Sequence, residues 1–420
     1  MKIAIISINA HTKVLNFASP LHSVAFWQFL ADHGIDATII DYKPNYYRNF
    51  DARHPLHYYE KHPDSNPETQ KRNLEKWSIL YREREVRFDR FEEFIQTYYH
   101  KTDLTHTADT LDEIENDFDC YICATDVIWK HNKKAGFDRG FFLACKSMEG
   151  KKKIAYAASR GACKYTPEQA QEFFAYISDI DYISVREKSL QNYIRHNSDL
   201  PVSLVLDPVF LQEKEFYEKM AVPPADRNYI LIYLAMEKAD DLVKTAITFA
   251  RRHRYKIIEL SEYPEHHLLA EGVDYKFVYD IGVEDWLGYM IHAEYIFTNS
   301  FHACCFSIIF KKEFFAGKRA GDKIDCLLER FALTHRRIKG YNPNAAEELS
   351  MMITDYRPIE ELRKKYVKES SDFILSAIRN LETGNHTNYG RLLHDTFSEI
   401  SPPASENSLC KKIRKLLHKK

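Results

Sequence analysis

The stretch Ala293–Phe310, AEYIFTNSFHACCFSIIF, sets the predicted architecture of this chain. Its first part, Tyr295–Thr298, is β-branched and aromatic and predicts a short buried strand. Asn299 and Ser300 interrupt that pattern and are favoured at helix N-termini, and the apolar residues from Ala303 onward predict a buried helix. A strand, a polar turn and a helix in this order place a helix N-terminus at the carboxyl edge of a parallel sheet, where free N–H groups favour an anion.

His302 occupies the first turn of this predicted helix, where a titratable side chain can meet a bound ligand. A histidine in that position also serves as an ordinary packing residue at a helix start, because histidine side chains are often only partly buried. The stretch by itself leaves both interpretations open.

Outward from this stretch, strand-like runs alternate with helical patterns along most of the chain. The predicted strands lie at residues 2–8, 35–41, 118–123, 153–158, 182–185, 202–206, 229–234, 256–260 and 295–298. Helical periodicity marks residues 21–33, 69–99, 167–178, 187–195, 238–252, 284–292, 324–333 and 357–382. Consecutive strands joined by helices are expected to pair in parallel. The sequence therefore predicts an α/β protein with Rossmann-like parallel sheets.

Two such domains are expected, because 420 residues exceed one ordinary domain and residues 221–226, AVPPAD, have the composition of a linker. The first domain is assigned to residues 1–220, with a polar and helical insertion at about 45–110. The second covers residues 227–345, and a late helical region at 346–383 is expected to pack back across both. Ligands of such sheets bind at the carboxyl ends of the strands, so the predicted site is an interdomain cleft.

The composition argues against several classes of function. A net charge of −2 gives no overall attraction to nucleic acid, and the 13 glycines form neither a G-x-G-x-x-G nor a G-x-x-x-x-G-K-[ST] motif. Eight cysteines at irregular spacing in a chain of this size indicate reduced thiols and a cytoplasmic protein. Cys120-x-x-Cys123 lies in a predicted strand, which points its two side chains to opposite faces, so no metal site is expected.

The two ends of the chain carry different signals. The N-terminus, MKIAIISI, is too short an apolar run for a signal peptide, and no segment reaches the length of a transmembrane helix. Residues 384–420 form a linker and a basic tail in which Leu409, Ile413, Leu416 and Leu417 share one helical face. This pattern predicts weak peripheral contact of residues 409–420 with the anionic inner face of the plasma membrane, and a solvated charged tail is the alternative.

Polar residues follow the predicted strands at several points. They are Asn16, Asp126, Ser159, Arg186, Glu187, Asp207, Ser300 and His302. Each one alone is also an ordinary cap or turn residue, but the carboxyl ends of parallel strands meet at one edge of a sheet. We therefore expect these side chains to line one cleft between the two domains.

Five segments of the chain share a pattern with a known family. The strongest is FTNSFH at 297–302 followed by FSIIF at 306–310, with Lys312 and Phe314 at the next matching positions. The others are IAYAAS at 154–159, ISVRE at 183–187, LDP at 206–208 and DYKP at 41–44. In these segments and their order, the chain from Met1 to about residue 380 resembles the polysaccharide pyruvyl transferase family. It departs from the family pattern at Ala18 and Ala303, where the family has glycine, and at residues 124–129, where the family has G-S-D-Q-x-W.

The resemblance implies a two-domain fold like that of the GT-B glycosyltransferases and a reaction that forms a pyruvate ketal. Phosphoenolpyruvate would donate its pyruvate unit across two hydroxyls of a glycan or lipid-linked oligosaccharide, a surface-polysaccharide precursor, and release phosphate. The scheme requires no cofactor and no metal. The departures from the family pattern bear on the acceptor specificity, because they remove three glycines and an amide side chain from the expected site.

The resemblance also implies roles for individual residues. The phosphate and carboxylate of the donor need cations and a helix N-terminus, which nominates Arg186 first and Lys312 and Arg319 in support. His302 is the candidate for proton transfer. Asp126 and Glu187 are candidates for stabilising positive charge at the ketal carbon. The predicted substrate-binding set is completed by Ser300, Asn16, Ser159 and Asp207.

Two other functions remain open at this point. A nucleotide-sugar glycosyltransferase would share the two-domain shape, and stabilisation by a nucleotide sugar but not by phosphoenolpyruvate would favour it. A catalytically inactive sugar-binding homologue is the second alternative, because a fold by itself does not determine function.

Overall fold

The structure, a computed structural model, describes residues 1–8, 10–113, 117–261, 272–351 and 354–384. These residues form two parallel sheets, and apolar clusters cover both faces of each sheet. The predicted basic segment at 409–420 lies outside the described residues. Within the described part, no helix is both long enough and apolar enough to cross a membrane.

The first sheet has six strands, all of them parallel. They are β1 (Ile3–Ile6), β2 (Ala37–Ile39), β3 (Cys120–Asp126), β4 (Lys152–Ala158), β5 (Tyr182–Val185) and β6 (Val202–Leu204). Their order across the sheet is β2-β1-β3-β4-β5-β6. The central strands are buried along nearly their whole length because helices cover both faces, which explains their continuous apolar runs.

The second sheet has five parallel strands in the order β11-β10-β7-β8-β9. They are β7 (Tyr229–Tyr233), β8 (Lys256–Glu259), β9 (Tyr275–Phe277), β10 (Tyr295–Thr298) and β11 (Glu313–Ala316). Its two edge strands, β9 and β11, were not predicted from the sequence. β9 and β11 are only three and four residues long, and β11 begins just a few residues after α11 ends, so neither strand gives a clear periodicity.

Fourteen α-helices are described. The first seven are α1 (Ala18–Asp32), α2 (Pro55–Lys61), α3 (Pro67–Ile79), α4 (Tyr81–Tyr98), α5 (Ala108–Glu113), α6 (Pro167–Ile177) and α7 (Lys188–Asn197). The others are α8 (Lys214–Glu218), α9 (Asp240–His253), α10 (Val283–His292), α11 (Phe301–Ile309), α12 (Lys323–Arg330), α13 (Ala345–Met351) and α14 (Tyr356–Thr383). The predicted single helical segment at 69–99 is two helices, because the chain bends at Leu80, whose side chain packs against Trp77 and Tyr279.

Helix α14 runs back from the second sheet to the first. Near its start, the Tyr356 hydroxyl donates to the Lys312 carbonyl beside β11. Further along, the Ser370 hydroxyl accepts a hydrogen bond from the Leu206 backbone N–H at 2.8 Å, and Ile374 and Ile378 join the apolar cluster beneath β1 and β4. The helix therefore ties the two sheets together.

The two sheets meet through an aromatic contact beside the start of α1. The Phe17 ring stacks on the Trp286 ring, with centroids 5.9 Å apart and an interplanar angle of 13°. Helix α1 begins three residues earlier than the sequence predicted, because the Asn16 side chain accepts a hydrogen bond from the Ala18 N–H at 2.9 Å. This start places the first turns of α1 directly against the second domain.

Candidate functional site

Arg186 is buried at the centre of the candidate site, where strands of the first sheet end. It follows β5 directly, while Asp126 ends β3 and Asp207 comes shortly after β6. The guanidinium donates to Asp126 Oδ1 at 2.7 Å and to Asp207 Oδ2 at 2.5 Å, and its Nε lies 3.4 Å from Glu187 Oε1. A single cation is therefore shared among three carboxylates.

The pKa values of this cluster follow from burial and pairing. Burial raises the pKa of Glu187, and the nearby Arg186 guanidinium offsets only part of that effect. Burial acts in the same direction on Asp126 and Asp207, but Arg186 and His302 outweigh it and hold the pKa of both carboxyls well below the usual range. The site thus combines two firmly ionised carboxylates with a third that takes up a proton more readily.

Glu187 is held in place by Ser159. The Ser159 hydroxyl donates to Glu187 Oε1 at 2.5 Å and accepts a hydrogen bond from the Gly161 N–H at 3.0 Å. The other carboxyl oxygen, Oε2, is buried and has no hydrogen-bond partner among the described residues. A proton on this oxygen would therefore be available to a ligand.

The second domain contributes the start of α11. The Ser300 hydroxyl accepts a hydrogen bond from the Ala303 N–H at 3.3 Å and so caps the helix, as its position in the sequence predicts. His302 Nε2 lies 3.4 Å from Asp207 Oδ2 and 3.5 Å from Arg186 Nη1. The Phe301 ring lies under the guanidinium, with its centroid 4.5 Å from Arg186 Cζ. The interdomain contact therefore brings a helix N-terminus and an imidazole to the buried arginine.

The backbone at the ends of β3 and β4 is strained where it supports the cluster. Thr125, Asp126 and Ala157 have φ angles of 79°, 65° and 52°, a region that β-branched residues such as threonine rarely adopt. The Thr125 hydroxyl donates to the Ala157 carbonyl at 2.9 Å and lies 3.4 Å from Asp207 Oδ2. These contacts hold the strained turn and fix the direction in which Asp126 leaves the strand.

Lys323 joins the cluster from the start of α12, and the sequence analysis missed it. Its ammonium lies 5.9 Å from the centroid of the Phe301 ring, and no described carboxylate is within ion-pair distance of it. Burial lowers the pKa of Lys323 to about 8, with Asp126 opposing this shift and the cations Arg319 and Arg186 adding to it. A lysine at the first position of a helix is electrostatically unfavourable, and this was the signal in the sequence that could have identified it.

His22 is the second group that the sequence analysis missed. It lies one turn into α1 and is completely buried, and its ring centroid is 5.8 Å from that of His302. Its position in an apolar helical pattern gave no sign of a functional role. Only the packing of α1 against α11 reveals that the two imidazoles face each other.

Three predicted site residues make structural contacts and do not belong to this cluster. Lys312 follows α11 and enters β11, so it lies at the opposite edge of the second sheet, where its ammonium donates to the Ile291 carbonyl at 2.9 Å. Asn16 starts α1, as described above. Arg319 donates to the Ala235 carbonyl at 3.0 Å, which ties together the loops that follow β7 and β11, and it approaches the cluster only through Lys323.

The DYKP segment forms a separate polar group at the end of β2. Asp41 Oδ1 lies 2.5 Å from His11 Nε2, and Asp41 Oδ2 accepts hydrogen bonds from the Lys101 ammonium at 2.9 Å and the Thr105 hydroxyl at 3.0 Å. Burial opposes ionisation of Asp41, but His11 and Lys101 outweigh it and lower its pKa to about 2. Asp41 therefore anchors the loop that follows β1.

No group of three or more His, Cys, Asp or Glu side chains arranged to hold a metal ion occurs among the described residues. The cysteines are likewise unpaired in the described part, and the pKa values of Cys120 and Cys123 are raised by burial, which makes both thiols poor ligands and nucleophiles. The chemistry available at the cluster is therefore that of carboxylates, imidazoles, one guanidinium and one ammonium.

Comparison with known proteins gives a family and a fold. The family model for polysaccharide pyruvyl transferases matches residues 21–316. No curated protein matches the sequence. Among solved structures, a putative UDP-N-acetylglucosamine 2-epimerase from Listeria monocytogenes is similar, with 10% identity, a TM-score of 0.55 and coverage of 92% of this chain and 98% of that one. UDP-GlcNAc 2-epimerase from Neisseria meningitidis, bound to UDP-GlcNAc, matches with 9% identity, a TM-score of 0.49 and coverage of 90% and 100%. The predicted GT-B-like arrangement of two parallel-sheet domains is thereby confirmed.

Proposed function

The chain belongs to the polysaccharide pyruvyl transferase family, and from that premise we propose that it transfers pyruvate from phosphoenolpyruvate to two hydroxyls of one sugar. The products are a ketal and phosphate. The observation that carries this proposal is the buried interdomain cluster of Arg186, His302 and Lys323 at the N-terminus of α11. Such a site suits a ligand with both a phosphate and a carboxylate.

The cations in this cluster differ in their capacity to bind the donor. A guanidinium has five N–H donors, and carboxylates engage one N–H on each nitrogen of Arg186, which leaves a second N–H on Nη2 and another on Nη1, where His302 Nε2 lies 3.5 Å away. The Lys323 ammonium has no described carboxylate within ion-pair distance. Arg186 and Lys323 would therefore both bind oxyanions of the donor. Of the two, Lys323 has fewer interactions with carboxylates of the protein.

The reaction needs two proton transfers and the stabilisation of one cation. Each acceptor hydroxyl loses its proton as its oxygen bonds to C2 of the donor. C3 gains one proton and becomes a methyl group. The second proton leaves with the phosphate, whose bond to C2 breaks. His302 is the proposed proton-transfer group, and Glu187 is a second one, because its pKa is raised and its Oε2 is unpartnered. The carboxylates of Asp126 and Asp207 stay ionised and would stabilise positive charge that develops at C2.

The acceptor is a glycan, as membership of a polysaccharide-modifying family implies. We extend this to a lipid-linked precursor at the inner face of the plasma membrane, because the sequence of residues 409–420 combines a regular apolar face with six lysines or arginines that favour anionic lipid. Attachment through this single segment would be weak and reversible.

Donor identity is tested by thermal unfolding of the full chain with phosphoenolpyruvate, inorganic phosphate, UDP-glucose or UDP-N-acetylglucosamine. A ligand that binds the folded protein at 100 times its Kd raises the free energy of unfolding by about 2.7 kcal/mol. We expect phosphoenolpyruvate and phosphate to raise the unfolding temperature and both nucleotide sugars to leave it unchanged. Stabilisation by a nucleotide sugar alone would overturn the proposal in favour of a glycosyltransferase, and no stabilisation by any of the four would favour an inactive homologue.

A further inference from the structure

His22 is a buried imidazole that the reaction described above does not use. It has no solvent exposure, and its Nε2 has no hydrogen-bond partner among the described residues. Its Nδ1 lies 3.3 Å from the Ser23 hydroxyl. Buried polar atoms in folded proteins are nearly always paired, because an unpaired one loses its hydration without compensation. An unpartnered nitrogen in this position therefore calls for a ligand.

The surroundings of His22 are those of the proposed donor site. Its ring packs against the ring of His302 at a centroid distance of 5.8 Å and an angle of 31°, so the start of α1 faces the start of α11 across the domain boundary. The charged groups that act on it are Asp126 at the end of β3, Arg186 after β5, Asp207 after β6 and His302 on α11. The His22 ring therefore belongs to the same buried cluster as the guanidinium that is proposed to bind the donor.

The imidazole of His22 is neutral in this setting. Burial lowers its pKa to about 4; Asp207 and Asp126 oppose the shift, while His302 and Arg186 add to it. If the Ser23 hydroxyl donates to Nδ1, the single ring proton lies on Nε2, which then acts as a hydrogen-bond donor. His22 can thus bind an anionic oxygen without adding a further charge to a site that already contains two cations.

We propose that His22 is a donor-binding residue, whose Nε2–H donates a hydrogen bond to a phosphate or carboxylate oxygen of phosphoenolpyruvate. This inference rests on the function proposed above and adds a second contact from the first domain, beside that of Arg186, to those made by α11 and α12. The donor would then be held by groups from both domains, so that its binding and the closed arrangement of the two domains stabilise each other.

The test measures the Kd for phosphoenolpyruvate and for inorganic phosphate by isothermal titration calorimetry at pH 7.5. We compare the wild-type chain with His22→Phe, which keeps a ring and removes both nitrogens, and His22→Gln, whose amide N–H replaces the Nε2–H. His33→Gln, at the other end of α1, is the control. We expect His22→Phe to weaken phosphoenolpyruvate binding about 10-fold or more, which is the loss of one hydrogen bond to a charged group. His22→Gln should recover most of that loss, and His33→Gln should match the wild type.

A second measurement distinguishes a neutral His22 that donates a hydrogen bond from a positively charged His22. Because His22 stays uncharged, the ratio of Kd values for His22→Gln and the wild type should be constant between pH 5.5 and 8. A folded His22→Phe variant that binds phosphoenolpyruvate as tightly as the wild type would overturn the inference and leave the proposed function intact. Absence of phosphoenolpyruvate and phosphate binding to the wild-type chain would overturn both. If His22→Phe does not fold, the NMR shift of the His22 Nε2 in wild-type protein decides, and it must move when phosphoenolpyruvate is added.

Discussion

Replacing Arg186 by methionine should destabilise the protein strongly at neutral pH and weakly in acid. The side chain is buried and is the shared cation of Asp126, Glu187 and Asp207. Removing one partner of a buried ion pair costs roughly 3–5 kcal/mol, because the remaining charge is left uncompensated. Three carboxylates lose their partner here, but His302 stays near Asp207, so we expect a loss of about 4–5 kcal/mol in the free energy of unfolding at pH 7.5.

The sign of the pH dependence follows from the pKa values. Arg186 holds the pKa values of Asp126 and Asp207 below their usual range in the folded protein, so its stabilising effect is present above that range and is lost as the pH falls. Without Arg186, less opposes the effect of burial, so both pKa values rise, although His302 still holds down that of Asp207, and protonation in acid relieves the buried charge. The difference in stability between wild type and variant should therefore shrink between pH 7.5 and pH 4.5.

The assay is urea unfolding followed by tryptophan fluorescence at those two pH values. Arg195→Met is the control, because Arg195 is an exposed arginine of the same domain that donates to the Val202 carbonyl at 3.1 Å without a described carboxylate partner. We expect this control to change stability by less than about 1 kcal/mol. A loss below about 1 kcal/mol for Arg186→Met, or a loss that is the same at both pH values, would refute the assignment of Arg186 as the shared counterion.

Three further outcomes are expected. His302→Asn should reduce phosphate release from phosphoenolpyruvate in the presence of acceptor by about 100-fold or more, while circular dichroism shows an unchanged fold; near-normal turnover would contradict its role in proton transfer. The folded-state pKa of His22, about 4, lies below the ordinary value of 6.5, so the unfolded chain binds a proton more readily between these values. The wild type should therefore lose about 3 kcal/mol of stability from pH 7 to pH 4 through this group, and urea titrations of His22→Phe should lack that component. A Cβ on Gly288 would lie 1.8 Å from the Val222 carbonyl oxygen, so Gly288→Ala should destabilise the protein by about 2–3 kcal/mol in urea titrations, whereas Gly340→Ala, which meets no atom within 4 Å, should have no effect.

Most strands could be predicted because a buried parallel strand is apolar along its whole length and is bounded by polar turns. The runs at 118–123, 153–158 and 295–298 correspond closely to β3, β4 and β10. The short edge strands β9 and β11 gave no such signal. The bend at Leu80 was also invisible, because it depends on the burial of that side chain against Tyr279, 199 positions along the chain.

The residues at the strand ends show how much of the candidate site the strand pattern predicts. Arg186, Asp126 and Asp207 lie at the carboxyl ends of strands of one sheet, and the structure brings all three together as the rule for parallel sheets predicts. Lys312 was nominated by its place in a motif, although it follows the predicted helix and so lies at the end opposite to the capped N-terminus. In the structure α11 separates Lys312 from the cluster.

The local sequence therefore determines some features of this protein, and the tertiary structure determines others. The local sequence determined the two α/β domains, the capped start of α11 and the polar residues at the strand ends, because helix capping and hydrophobic periodicity are properties of neighbouring residues. Only the tertiary structure decided that Arg186 is shared by three carboxylates, that Lys323 approaches them and that His22 faces His302. These contacts join residues up to 280 positions apart, and their distances and pKa values arise from burial between two domains, which no short stretch of sequence encodes.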